Sequence, residues 1–347
     1  MIGWLRRLFG GTPSTPPPPS PRVLDAPDID LDGSVNVNVD THATKAAAPS
    51  NPATSMHVAA IDRHFYALLA GVTSVDAGAA LEKTILDEMA RLLRHPYGAA
   101  SLVPRVPAVI PQLLGSLRDD SLSGADLARQ VAQDVVLVAE VIREANSPYY
   151  RPAQPVKTIE NAVMLLGQNG LRMLLARVAF RPVIGVQSGR FARQAAPLVW
   201  TQSEHCALAA SILAGGLDAN AFDAYLAGLM HNIGLIVAFR IIDRVMPAGA
   251  AAAAPGLPES PAFCASLLEQ ARALSAVIAA EWHFPESVIS AIGTPRATPL
   301  GLALSLGDRV AKLRVLVDAG ALARETAQAG LDASLWQCFD QLAPKET

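Results

Sequence analysis

The sequence predicts an all-α protein carried behind a polar tail, on three observations. Apolar residues make up 51% of the chain and aromatics only 5%, so the core must be built mainly from Ala, Leu and Val, and Ala and Leu are the strongest helix formers. Apolar side chains recur at helical spacing through the segments that follow Met56. No alternating run of β-branched residues, the mark of a strand, interrupts the region after Pro107.

The elements follow in order. Met1 to Phe9 is apolar with Arg6 and Arg7 in its middle, the reverse of a signal peptide's charge-first layout. Two readings of it stay open. One is a short amphipathic helix resting weakly on a membrane surface through Trp4, Leu5, Arg6, Arg7 and Phe9; the other is a terminus that touches nothing specific, since so short a helix is marginal alone. The tail to residue 55 is expected to be disordered: Pro16 to Pro19 is unbroken proline, and Asp25 to Asp40 is acidic with few large apolar groups. Residues 56–98 are expected to form a helical hairpin, with Leu81, Ile85, Met89 and Leu92 on one stripe and a stop at His95-Pro96-Tyr97-Gly98.

Helices then come in close order through residues 99–345, the expected main domain. Ser123 and Asp126 form a capping box. Val138, Val141, Ile142 and Ala145 share a stripe that ends at Asn146-Ser147-Pro148, where the proline pushes Ser147 out of helical geometry. Thr158 caps a helix ending at Gly167, and Asn169 can cap the next, with Leu171, Leu174 and Leu175. A second half begins near Pro197 with an apolar stretch from Trp200 to Leu213. Asn220-x-x-Asp223 opens a helix expected to run through Ile233, residues 246–261 read as a loop, and Phe263 to Trp282 is a long helix broken by Phe284-Pro285. Helices over 299–318 and 321–341 close the chain.

The formal net charge of −3 argues against a dedicated nucleic-acid binder, which would carry a basic stripe. Cys206, Cys264 and Cys338 lack ligand spacing and read as buried thiols in a reducing compartment. No apolar run reaches the ~20 residues of a bilayer span, so a cytoplasmic location is expected. There is no phosphate-cradling glycine loop and no nucleophile elbow.

Two segments together carry a resemblance. One is Val141-Ile142-Arg143-Glu144-Ala145-Asn146-Ser147-Pro148-Tyr149-Tyr150 followed by Thr158 to Gly167. The other is Trp200-Thr201-Gln202-Ser203, then Leu226-Ala227-Gly228-Leu229-Met230-His231-Asn232-Ile233-Gly234, then Trp282-His283-Phe284-Pro285. In this order they resemble the HDOD domain of bacterial signalling proteins, over about residues 100–320. The resemblance implies two helical lobes, about 99–190 and 191–345, the second related to HD-type metal phosphohydrolases. Those enzymes hold metal through a helix-borne His, a His-Asp pair and a later Asp, and the metal turns bound water into a nucleophile.

The matching positions implied here are Gln202, His231, Asn232 and Asp308. Gln202 offers an amide where an imidazole is expected, and Asn232 removes an anionic ligand, so the resemblance implies a degenerate site with no metal, no cofactor and no catalysis. His231 then reads either as a relic ligand or as a hydrogen-bonded core histidine, and Asn232 is expected to bond to the backbone or to Asp308. Trp200 and Trp282 read as packing anchors or as ligand-stacking groups. The Tyr149-Tyr150-Arg151 loop has the residue types of interface hot spots, or caps the seam between lobes. Arg172, Arg177 and Arg181 read as a modest basic face or as a solvated one.

The leading expectation is a non-catalytic signalling scaffold that binds a partner protein. A second is a receptor for a nucleotide such as cyclic di-GMP, held by the degenerate pocket with Arg309 on the phosphate. A residual metal-dependent phosphohydrolase comes third.

Overall fold

The computed structural model describes residues 52–71, 79–95, 115, 117, 122–132, 135–147, 152–185, 189–246, 257–258 and 260–343. The expectations for the tail, for the Trp4–Phe9 segment and for the Tyr149-Tyr150-Arg151 loop lie outside these residues. Every described element is helical, with no strand among the described residues.

Two helices precede the main domain: α1 (Pro52–Ala70) and α2 (Ala79–Arg94). Lobe one holds α3 (Gly124–Val131), α4 (Val135–Ala145) and α5 (Ile159–Gly185). The second lobe holds α6 (Arg190–Ala214), α7 (Ala221–Met230), α8 (Ile233–Val245), α9 (Pro261–Glu281), α10 (Glu286–Gly293) and α11 (Pro299–Asp318). Two short helices, α12 (Arg324–Ala329) and α13 (Ala333–Gln341), end the described chain.

Local chemistry explains most boundaries. Ser123 and Asp126 form the expected capping box, with the Asp126 amide donating to Ser123 Oγ at 3.2 Å and Ser123 Oγ donating back to the carboxylate at 2.6 Å. Asn220 Oδ1 accepts from the Asp223 amide at 2.9 Å and starts α7. Gly167, at φ 67° and ψ 179°, kinks α5 where the sequence predicts a stop.

Three boundaries differ from the sequence reading. The second half begins at Arg190 rather than near Pro197, because Asp243 of α8 accepts the Phe191 and Ala192 amides at 2.9 and 3.0 Å and caps α6 from a distance. The helix expected to run through Ile233 stops at Met230. The stretch expected as one helix over 321–341 is split at Gly330 into α12 and α13.

Helix α6 is the centre of the second lobe, packed most extensively on α11 and α7. Helices α1 and α2 are not an appendage. The first packs on α6, α9 and α11, the second on α8 and α9, and Phe65, Tyr66, Ile85 and Met89 lie in the same buried cluster as Phe180 and Phe239. By length and composition, Ala221–Val245 and α9 are apolar enough to cross a bilayer, which the sequence reading did not expect. The first of these is 89% buried inside the fold and forms its core.

The arginines of α5 do not form a free basic patch, and of the three only Arg181 is exposed. Arg172 is buried, Arg177 joins Glu204 of α6 and lies 3.2 Å from Glu144 of α4, and Arg181 meets Glu144 at 2.9 Å. The Arg177–Glu204 contact ties lobe one to α6, and the Glu144 contacts tie α5 to α4 within lobe one.

Candidate functional site

Four elements bring the predicted positions together. Helix α6 supplies Gln202 and, one turn on, Cys206. The joint between α7 and α8 supplies His231 and Asn232, and α11 supplies Asp308 and, one turn on, Lys312. Just before the joint the α7 and α6 backbones cross closely: a Cβ on Gly228 would lie 2.4 Å from Ala207 Cα. The Gly228 carbonyl in turn accepts from His231 Nδ1 at 2.7 Å, which turns the other ring nitrogen toward α11.

Asp308 is the hub. Its Oδ1 accepts from Gln202 Nε2 at 2.7 Å and lies 3.1 Å from His231 Nε2; its Oδ2 accepts from Lys312 Nζ at 2.8 Å. Gln202 accepts in turn from Asn232 Nδ2. Asn232 therefore reaches Asp308 through Gln202, where a bond to the backbone or directly to Asp308 was expected. Lys312 also donates to Asp62 Oδ1 of α1 at 2.6 Å, and its ammonium lies 5.7 Å from the centre of the Phe65 ring. Gln202, His231, Asp308 and Lys312 are all buried.

Burial works against ionisation of Asp308. The Lys312 ammonium, His231 and Arg272 outweigh it and hold the carboxyl well below the usual carboxylate range. Burial likewise opposes the charge on Lys312, and Asp308 and Asp62 more than compensate, raising its pKa. Burial, reinforced by Asp308, pushes the Cys206 thiol well above its ordinary value.

The remaining predicted residues sit apart from this hub. Arg309 donates to the Gly330 carbonyl ahead of α13, and its Nε is buried without a partner. Trp282 stacks on Phe180 of α5, with ring centroids 6.4 Å apart, and so packs the seam between lobes. Trp200 is buried with its Nε1 unpartnered. Sequence reasoning missed Lys312, Cys206 and Asp62. The first two stand four residues after Asp308 and Gln202, a spacing that places both on the same helix faces; Asp62 comes from a tertiary contact that no local pattern announces.

An HD-type site would hold a metal between these residues. They do not fit it: both Asp308 oxygens face N–H donors, Asn232 is neutral and aims its amide nitrogen at Gln202, and an ammonium already lies against the carboxylate.

The profile of the HDOD domain matches residues 103–296, more than half of the chain. The chain belongs to the HDOD domain family. Among solved structures, it is similar to an HDOD domain protein of unknown function from Geobacter sulfurreducens (21% identity, TM-score 0.53, covering 76% of this chain and 91% of that one). It is also similar to a protein from Marinobacter aquaeolei VT8 provisionally assigned to signal transduction (22% identity, TM-score 0.50, covering 79% of this chain and 67% of that one). At these identities the likeness concerns the fold. An uncharacterised protein of Treponema pallidum (strain Nichols) is 27% identical over 137 residues, 39% of this chain; that stretch spans about a quarter (26%) of the relative's length. The HDOD match ends before α11, so Asp308 and Lys312 lie beyond it.

Proposed function

We propose that this HDOD chain is a non-catalytic signal-transduction scaffold that acts by binding another protein. The observation that carries the reading is the self-satisfied hub, in which Asp308 spends its oxygens on Lys312 and Gln202, and Gln202 in turn on Asn232. A carboxylate whose two oxygens each already accept an N–H donor is a poorer ligand for a metal and a poorer base for an attacking water. HDOD membership and the fold shared with the Marinobacter protein support a signalling role. Met164, 78% exposed, and its neighbour Leu165 stand beside the Gly167 kink of α5, and exposed apolar groups of this kind suit a protein partner. The nucleotide-receptor reading is weaker, because Arg309 is engaged at Gly330.

Elemental analysis and hydrolysis of bis-p-nitrophenyl phosphate, with and without divalent metals, test the reading. The expected result is no stoichiometric metal and no turnover above that of His231→Ala. Metal-stimulated turnover lost in His231→Ala would replace it with a phosphohydrolase. A rise in Tm with cyclic di-GMP that His231→Ala abolishes would replace it with a receptor, since a ligand that binds only the folded state stabilises it.

A further inference from the structure

The hub holds a cation of its own. Lys312 Nζ lies 2.8 Å from Asp308 Oδ2 and 2.6 Å from Asp62 Oδ1, with its side chain only 5% exposed. Against the same carboxylate stand His231 and Cys206. A sulfur of Cys206, a ring nitrogen of His231 and an oxygen of Asp308 lie within 4.8 Å of one another, all three residues buried. Sulfur, imidazole and carboxylate are the ligand types of zinc sites, and three of them with one open position suffice. Cys206 is not among the positions that the HD-type comparison assigns; it enters because it follows Gln202 by one helical turn.

We infer that Lys312 is the site's tethered cation: its ammonium does the electrostatic work of a divalent ion between Asp308 and Asp62, and without it Cys206, His231 and Asp308 take up a thiophilic divalent metal. This rests on the non-catalytic reading of the same site. The tether explains why the lysine wins over free metal: it sits four residues from Asp308 on the same helix, so its local concentration far exceeds that of any dissolved ion. Removing the ammonium leaves Asp308 and Asp62 facing each other with no counter-charge between them. A zinc or cobalt ion restores the wild-type net charge of the cluster, coordinating the Cys206 sulfur as thiolate and releasing the thiol proton to buffer. Thiolate selects such ions over magnesium and calcium, which demand oxygen ligands.

The test uses the full chain as wild type, Lys312→Met and Lys312→Met/Cys206→Ser, titrated with Co²⁺, Zn²⁺ or Mg²⁺. Melting temperature and the thiolate-to-cobalt charge-transfer absorption are read. Wild type is expected to show no cobalt–thiolate band and no metal-dependent rise in Tm. Lys312→Met is expected to melt lower by roughly 10 °C, to recover most of that loss with Zn²⁺ or Co²⁺ but not Mg²⁺, and to develop the band. Cys206→Ser in that background removes the band, which excludes Cys264 and Cys338 as its source. If Lys312→Met is insoluble, refolding with and without Zn²⁺ serves instead: recovery of folded protein only with Zn²⁺ is expected, and none in either condition overturns the inference. A metal-free wild type whose Lys312→Met variant no metal rescues sinks this inference alone. A wild type that binds stoichiometric metal and hydrolyses the phosphodiester sinks the non-catalytic reading as well.

Discussion

Asp308 and Lys312 form a buried pair whose strength is conditional. Two charges taken out of water lose their hydration, and the loss is repaid only where geometry is good and every remaining donor and acceptor is met. Here each carboxylate oxygen has a donor: Gln202 donates to the first, beside His231, Lys312 donates to the second, and Asp62 and Phe65 complete the ammonium's surroundings. A second buried group behaves in the opposite way. His205, on α6, has its Nδ1 shut away from solvent with no hydrogen-bond partner, and burial pushes the imidazole down from 6.5 to about 4. The unfolded chain therefore takes up a proton as pH falls through 6.5, while the folded chain declines it until about 4. Stability from this group is fully present above pH 6.5 and is lost toward pH 4, an effect of up to roughly 3 kcal/mol. His205→Gln is expected to flatten the stability curve over that interval, read by urea denaturation at a series of pH values. An unchanged slope would mean that the imidazole reaches solvent.

At the scale of elements, the close crossing of α6 and α7 sets the site. A methyl group at Gly228 would meet the Ala207 Cα and amide nitrogen at 2.4 and 2.5 Å and the Cys206 carbonyl carbon at 2.9 Å, all backbone that cannot rotate away. Gly228→Ala is expected to cost at least about 1–3 kcal/mol by forcing the helices apart. Gly215→Ala, at φ −61° with nothing within 4 Å of its added methyl, is expected to be neutral or slightly stabilising. Chemical denaturation of the two variants compares them, and equal stabilities would refute the crossing argument. The elements were largely legible because their starts are local: Ser123 with Asp126 and Asn220 with Asp223 announce helices that the structure contains. The break after Met230 was not legible. Apolar residues flank His231-Asn232 on both sides from Leu226 to Ile242 without a proline or a capping signal, so nothing local marks the end of α7. The start of α6 was hidden for the same reason, since its cap is Asp243. Of the candidate site, the four HD-type positions were readable by resemblance, whereas Asp62 waited on the fold to bring it in.

At the scale of the whole molecule, the domain that sequence comparison delimits is smaller than the unit that folds. The HDOD match covers residues 103–296, yet the hub needs α11 behind it and Asp62 of α1 ahead of it. Helices α1 and α2 add Phe65, Tyr66, Leu69, Ile85, Met89 and Leu92 to the shared core, each almost wholly buried. They are also tied by polar contacts: Tyr66 Oη donates to the Pro258 carbonyl at 2.9 Å, and Ser260, which caps α9, donates through Oγ to Glu82 Oε2 at 2.9 Å. Burying each large side chain is worth about 1.5–3 kcal/mol, so six together approach or exceed the whole stability of an ordinary domain, about 5–15 kcal/mol. A chain beginning at residue 96 is accordingly expected to lose its cooperative unfolding transition and to bind the hydrophobic dye ANS while keeping much of its helical circular dichroism. Differential scanning calorimetry beside far-ultraviolet dichroism checks this. A sharp transition within a few degrees of the full chain's would show that the HDOD lobes close their own core, and that α1 and α2 merely lie upon it.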